Sequence, residues 1–416
     1  MSETVQIQKL VHGGQGLGHL EDGRTVFVWG ALPGETVTVR IIKAKRSYAE
    51  AIVEEVITAS PERIAPREEN YLATSPWQIV TLSAENVYKK MIVDELFTQA
   101  HVSIPEFTLR AAESEWRYRN KMEYSFWGDD EGLHLALHNR GSHQKSIVTG
   151  SELALPALDK AAQALVAELQ KYQPRAGDLK TIIVRCSQNG DAVAALYTKL
   201  TKFTKLALPP ELKGLRVYHS NPKSPASVPT KLLYELGDTK LQDELLGRSF
   251  TYDVDSFFQV NLPIFEQALG AIREHMQGDD LVDMYAGTGS IGLSVAGKKV
   301  TLVELDAASA AMARENAAAS GLDAEVVEVA SERALDYIAA DKPLIVDPPR
   351  AGLHTAVINR ILEVQPPKIA YQSCNPATQA RDLAHLQDTY KITYFEGFNF
   401  FPHTPHIETL GILERK

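Results

Sequence analysis

Cysteine is scarce: Cys186 and Cys374 are the only two among 416 residues. A pair excludes a disulfide framework, a four-cysteine zinc site and a four-cysteine iron–sulfur cluster supplied by this chain alone. No apolar run approaches the roughly 18–20 residues of a membrane span. The opening MSETVQIQKL lacks the basic and apolar regions of a secretory signal. Positive charge is also short, with 43 Lys and Arg against 53 Asp and Glu for a net −10. That balance argues against non-specific polyanion binding, although a locally basic face can still serve transient contact. Internal repeats and low-complexity tracts are absent. With 44% hydrophobic residues, the composition predicts a soluble, cytoplasmic protein with a packed core in each domain.

The first domain is expected over residues 1–58. VQIQKLV, TVFVWG, ETVTVRII and YAEAIVEEVI are short alternating strands separated by HGGQGLG, ALPG and a basic link. Several strands in so short a stretch predict a small barrel of oligonucleotide-binding type. The link carries Arg40, Lys43, Lys45 and Arg46, either an ordinary solvated strand end or a phosphate-contacting face. This barrel is expected to stand apart from any catalytic crevice. Residues 59–250 read as a linker, proline-rich over 60–80, followed by a central α+β domain. A helix is predicted over LSAENVYKKMIVDELFTQA, capped by Ser83, with Val87, Ile92, Val93 and Leu96 as its apolar stripe. Further on, WRYRNKMEYSFWG interleaves Arg117, Arg119 and Lys121 with Trp116, Tyr118, Tyr124, Phe126 and Trp127. Cations and flat rings suit single-stranded RNA, while alternating aromatics equally suit a core strand.

Residues 251–416 change character. The apolar runs LVDMYAG, KVTLVELD, LIVDPPR and KIAYQSC alternate with helical stretches, which predicts a doubly wound parallel sheet. Between the first such strand and its helix stands Asp283-Met-Tyr-Ala-Gly287-Thr-Gly289-Ser-Ile-Gly292. Its glycines allow close backbone approach to a ligand and a sharp turn into the helix. The same spacing fits a dinucleotide loop, and Glu304 at the end of the next strand suits the ribose of either cofactor class. Asp283 and the later DPPR together form instead the pattern of class I S-adenosylmethionine methyltransferases.

Asp347 lies at a strand's C-terminal end, where open α/β sheets bind ligands, and two prolines stiffen the loop after it. Cys374 follows another strand and precedes a helix N-terminus, a place expected to lower its thiol pKa and suit a nucleophile. The segment from Phe401 to Thr409 adds Glu408 with His403 and His406, but no third metal ligand at suitable spacing, so no metal is expected.

In this order, YRNK at 118–121, FFQVN at 257–261, DMYAGTGSIGL, VELD, DPPRAGL, SCNP and FPHTPHIE resemble the S-adenosylmethionine-dependent RNA uracil-C5 methyltransferases that carry an N-terminal TRAM domain. The resemblance spans nearly the whole chain. It implies an α/β multidomain fold: an OB-like TRAM barrel, a central α+β domain and a C-terminal Rossmann-like class I methyltransferase domain. It also implies S-adenosylmethionine as cofactor and a uridine of structured ribosomal or transfer RNA as methyl acceptor. By motif position it implies Cys374 as nucleophile and Glu408 as proton acceptor. Gln259, Tyr285, Gly287, Gly289, Glu304 and Asp347 are then expected in the cofactor and base pocket. Arg40, Lys43, Lys45, Arg46, Arg119 and Lys121 are the expected RNA contacts. PREENYLATSPWQIV lacks the iron–sulfur cysteines many members carry, so a cluster-free, metal-free monomer is expected. A nicotinamide dehydrogenase would leave Cys374 and Glu408 unexplained, and both residues argue against a non-catalytic RNA-binding module.

Overall fold

Val5, Val26, Val28, Val37, Val39, Ala49 and Ala51 alternate with more exposed neighbours along the first strands. Burying that one face closes a core of their own in the computed structural model, which describes every residue except Met1, His143, Pro225, Ala226 and Gln277. The six strands run in the order Ser2–Gln6, Thr36–Ala44, Tyr48–Thr58, Thr25–Trp29, Gly16–His19 and Lys9–Leu10. The glycine-rich HGGQGLG contributes the fifth of these rather than serving only as a separator.

This unit is not tethered by a loose linker. Leu10 and Leu32 belong to the same buried cluster as Trp77, Ile92, Val282 and Tyr371. Within 60–80, Trp77, Ile79 and Val80 are buried, and Arg63 Nη2 donates to the buried Glu35 carboxylate at 2.7 Å. Full burial of each large apolar side chain is worth about 1.5–3 kcal/mol, so the segment is held as firmly as a helix would be. Proline content hid this packing.

The next helix, Leu82–Gln99, is capped by Thr81, whose hydroxyl accepts from Ala84 N, and not by Ser83. Val87 is 56% exposed, so the expected stripe turns. The buried face is Ala84, Glu85, Lys89, Ile92, Val93 and Phe97, with an ion pair in the middle of it. Phe97 packs edge-on to Phe395, its ring centroid 5.0 Å away. The strand Leu109–Ala111 then pairs with Tyr390–Asn399. Helix and strand thus complete the C-terminal sheet, although a boundary at 250 puts them with the central unit.

The central sheet has seven strands. In its strand Ala192–Thr198 every residue is buried, because both faces are covered. Ala192, Ala194 and Leu196 meet the helix Pro156–Gln170, while Val193, Ala195 and Tyr197 face the C-terminal core.

The C-terminal sheet has eight strands, in the order Asp323–Glu328, Lys299–Glu304, Asp280–Met284, Leu344–Val346, Lys368–Ser373, Glu408–Arg415, Tyr390–Asn399 and Leu109–Ala111. The first five are parallel, and Glu408–Arg415 runs antiparallel to both of its neighbours. Strand order reverses beside Asp280–Met284, opening a crevice at the carboxyl ends. Among the described residues, no helix is long and apolar enough to cross a membrane.

Candidate active site

A cavity of about 1290 Å³ opens at those strand ends. Gln259, Tyr285, Gly287, Glu304, Asp347, Cys374 and Glu408, drawn from motifs far apart in the chain, all line it. Gly289 does not line it but holds its shape as the N-cap of the helix Ser290–Val295, at φ +81°. A side chain there would collide with Leu302 and Leu293, so the turn needs glycine. Gly287, at φ +58° with nothing near its missing Cβ, leaves its backbone open. Tyr285 adopts φ +68°, a conformation that costs a non-glycine residue about 1–3 kcal/mol and marks functional loops.

Carboxylates pin the glycine turn. Asp283, fully buried, accepts from Gly292 N at 2.8 Å, and burial pushes its carboxyl up to about 8. Glu304 accepts from Gly287 N at 2.7 Å and from Asp306 N at 2.6 Å. Each Glu304 oxygen keeps a second lone pair for an incoming hydroxyl.

At the other end of the cavity, Cys374 sits between the strand Lys368–Ser373 and the helix Pro376–Leu386. The expected low thiol pKa is not found. Burial pushes the thiol up to about 12, Glu408 and Asp347 push the same way, and Arg350 opposes them. Desolvation beside two acids outweighs the helix N-terminus. Burial also raises Asp347 to about 7 and holds Glu408 well above the usual carboxylate range. The nearby Asp347 adds to the shift of Glu408. Burial thus favours the neutral over the charged form at all three groups.

Buried contacts fix the loops that carry these groups. Arg185, reaching from the central sheet, donates to the carbonyls of Ser256 at 2.7 Å and Phe258 at 2.9 Å. Asn120 of YRNK donates to the carbonyl of Gln259 at 3.0 Å, and Tyr118 donates to that of Pro402 at 3.0 Å. The loop before Glu408 is tied to the helix Leu82–Gln99, where Glu85 accepts from His403 N and Lys89 donates to Asn399 Oδ1. Burial pushes that Glu85–Lys89 pair toward neutral from both sides.

Other expected contacts lie elsewhere. Tyr118, Tyr124 and Phe126 are buried and serve the core. Trp116 stacks on His403, centroids 3.8 Å apart, with the Arg67 guanidinium on its ring at 4.2 Å. Lys121 is half-buried, and burial followed by Arg185 lowers it to about 8. Arg119 lies near Phe401, 6.0 Å from its ring centroid. Arg40 and Lys43 are exposed but paired with Glu54 and Glu50. Lys45 and Arg46 are exposed. Burial lowers His403 to about 3 and His406 to about 4. Among the described residues, no group of three or more His, Cys, Asp and Glu side chains could hold a metal ion.

Two lining residues escaped the sequence. Phe257 is 60% exposed at the cavity while Phe258 is 1% exposed, and alternation in FFQVN cannot say which ring turns out. Arg350 lines the cavity and meets His406 Nδ1 at 3.2 Å, and only its place in DPPR could have signalled it.

The family model described as tRNA (uracil-5-)-methyltransferase matches residues 83–416, and that of the TRAM domain matches residues 3–53. A Caldanaerobacter subterraneus protein named as an RNA methyltransferase is 31% identical over 443 residues, covering 99% of this chain and 98% of its own. One from Thermotoga maritima, named likewise, is 28% identical over 437 residues, covering 98% of each. Among solved structures, the Pyrococcus abyssi tRNA (uracil-54, C5)-methyltransferase in complex with S-adenosyl-L-homocysteine superposes with a TM-score of 0.78. It is 22% identical and covers 98% of this chain and 99% of its own.

Proposed function

Because the chain belongs to the tRNA (uracil-5-)-methyltransferase family, we propose that it methylates C5 of one uridine in structured transfer or ribosomal RNA, using S-adenosylmethionine and a covalent Cys374–C6 adduct. The observation that carries this reading is the meeting of Cys374, Asp347 and Glu408 in the same cavity as Glu304 and the glycine turn. The cofactor fits those residues: Gly287 leaves backbone open, Glu304 has spare lone pairs for the ribose, and the strained Tyr285 lines the same cavity. S-adenosylmethionine supplies an electrophilic methyl on a positively charged sulfur.

A bound cation would favour the anionic forms of Cys374, Asp347 and Glu408, and the Cys374 proton would leave to solvent as the thiolate forms. Uracil C5 attacks poorly unaided. Cys374 Sγ bonds to C6, the ring electrons move toward O4, and C5 becomes nucleophilic. With C5 methylated, Glu408 takes the C5 proton, the double bond re-forms and the Sγ–C6 bond breaks. Asp347, raised to about 7 by burial, accepts from N3–H as a carboxylate or supports the charge at O4 as the acid. Phe257 offers a ring at the mouth to a base drawn out of its stack.

The test is to incubate the purified protein with labelled S-adenosylmethionine and RNA from cells lacking the gene. Nucleoside analysis is expected to find the label in 5-methyluridine at one position. Label in any other nucleoside, or none, overturns the reading.

A further inference from the structure

The barrel was expected to stand apart from the catalytic crevice, but one of its turns reaches the crevice rim. Between the strands Lys9–Leu10 and Gly16–His19 the chain reverses through Val11 to Gln15, closed by a bond from Gly14 N to Val11 O of 2.8 Å. Gly14 is pressed into the C-terminal unit. Its carbonyl accepts from Trp77 Nε1 at 2.9 Å, and a Cβ on it would overlap the Pro405 ring, 2.7 Å from Cγ. Pro405 stands on the loop that ends at Glu408. On the same turn, the His12 imidazole lies beside the Asn375 side chain, with Arg350 close by. Asn375 follows Cys374 directly and is tightly employed. Its Nδ2 donates to the Arg350 carbonyl at 2.8 Å, and its Oδ1 caps the helix Pro376–Leu386 through Ala377 N at 3.3 Å. Arg350 in turn meets His406 at 3.2 Å.

One turn of the barrel thus sets His12 beside the loop that carries Cys374 and presses Gly14 against the loop that leads to Glu408. We propose that His12 and Gly14 are positioning residues for methyl transfer, setting the Asn375 cap beside Cys374 and the Pro405 loop ahead of Glu408. The barrel then completes the active site as well as offering a face to RNA. This inference rests on the proposed uridine-C5 activity. Near-attack geometry is steep in distance, since a displacement of about 1 Å costs roughly a hundredfold in rate.

Two neighbouring glycines allow a matched experiment. Gly13 and Gly14 have almost the same φ, +96° and +94°, but nothing lies within 4 Å of a Cβ on Gly13. Gly13→Ala therefore imposes the conformational strain alone, and Gly14→Ala imposes the same strain plus the collision with Pro405. Steady-state methylation of RNA from gene-deleted cells is measured together with calorimetric cofactor binding and thermal unfolding. Gly14→Ala is expected to lower kcat roughly tenfold to a hundredfold, with cofactor affinity within about twofold of wild type. Gly13→Ala keeps kcat within about twofold, because the strain does not reach the site. His12→Ala removes atoms without a clash, so it answers even if Gly14→Ala fails to fold. It is expected to lower kcat about threefold to tenfold with KM for RNA little changed, and His12→Gln is expected to restore the rate through its side-chain amide. Equal losses from the two glycine variants assign the effect to strain and overturn the proposal. So does full kcat in His12→Ala, or a loss confined to KM. A wild-type protein that methylates no uridine refutes the function instead, and the glycine comparison is then read in no other way.

Discussion

Two strands of this molecule run into a cysteine, and burial treats the two thiols alike. Cys186 closes the strand Leu179–Cys186 in the central sheet and Cys374 follows Lys368–Ser373 in the C-terminal one. Burial is the first cause in both, and both thiols are pushed up to about 12. Their surroundings differ in kind. Cys186 is 0% exposed and packed in the cluster that contains Leu158, Leu165 and Val184. Cys374 is partly exposed, lines the cavity and feels Glu408, Asp347 and Arg350. The same raised value thus arises from two different surroundings. Cys186 is enclosed by apolar core, whereas Cys374 faces a cavity and two acids whose charge a bound cation would alter.

Replacing each cysteine breaks or sustains that contrast. Cys374→Ala is expected to abolish turnover while cofactor affinity, read by calorimetry, stays within a few fold. Substantial methylation by this variant would end the contrast. Next in size, Glu408→Gln is expected to slow turnover by about 10²–10⁴-fold, because glutamine keeps the shape but takes no proton. The methylated RNA then stays bonded to Cys374 as a gel-shifted band under denaturing conditions. The band requires S-adenosylmethionine and disappears in the double variant with Cys374→Ala. Normal turnover in Glu408→Gln would move the base to another group.

Glu304→Ala sharpens the cofactor side of the comparison, with an expected loss of about 1.5–3 kcal/mol in S-adenosylmethionine binding. Unchanged calorimetric affinity would take Glu304 out of that site. The raised thiols predict a pH dependence as well. Below its pKa the thiolate fraction grows about tenfold per pH unit, so iodoacetamide labelling of Cys374 without added cofactor should climb steadily from pH 7 to pH 10. Bound S-adenosylmethionine, adding positive charge, should move that climb to lower pH if the reagent still enters. A plateau near pH 7 without cofactor contradicts the raised value. The smallest effect is Cys186→Ser, which is expected to leave kcat unaltered and cost about 1–3 kcal/mol in denaturant unfolding through a buried hydroxyl. A dead Cys186 variant with an unchanged unfolding curve would exchange the roles of the two cysteines.

Much of the fold was legible because strands and helices alternate plainly after residue 280, and the motifs at the strand ends do meet in one cavity. What stayed hidden was set by packing between distant segments. Nothing in ENVYKKMIVDELF reveals that Glu85 and Lys89 are swallowed as a pair while Val87 looks outward. The prolines of 60–80 read as looseness, but Trp77 is anchored by Gly14 and by His403, each more than sixty residues away or across the chain. The thiol shift of Cys374 was misjudged for the same reason. Local position beside a helix start is visible in sequence, but the burial that overrules it, with two acids brought from other strands, is not.

The strand Glu408–Arg415 has a further consequence, for the order in which the protein is made. It follows every other strand of its sheet in the chain, yet its place is interior, between Lys368–Ser373 and Tyr390–Asn399. As the ribosome delivers the chain, the sheet must wait with a gap in its middle. Leu109–Ala111, made almost three hundred residues earlier, waits for Tyr390–Asn399, and the faces of Phe97 and Phe107 that meet Phe395 wait with it. Such long-range closure is slow and leaves apolar surface open to association or to chaperones until the last strand arrives. Because Glu408 is the first residue of that strand, the step that seals the sheet also delivers the carboxyl to the cavity. A chain that has not reached this strand therefore lacks the Glu408 carboxyl at the cavity.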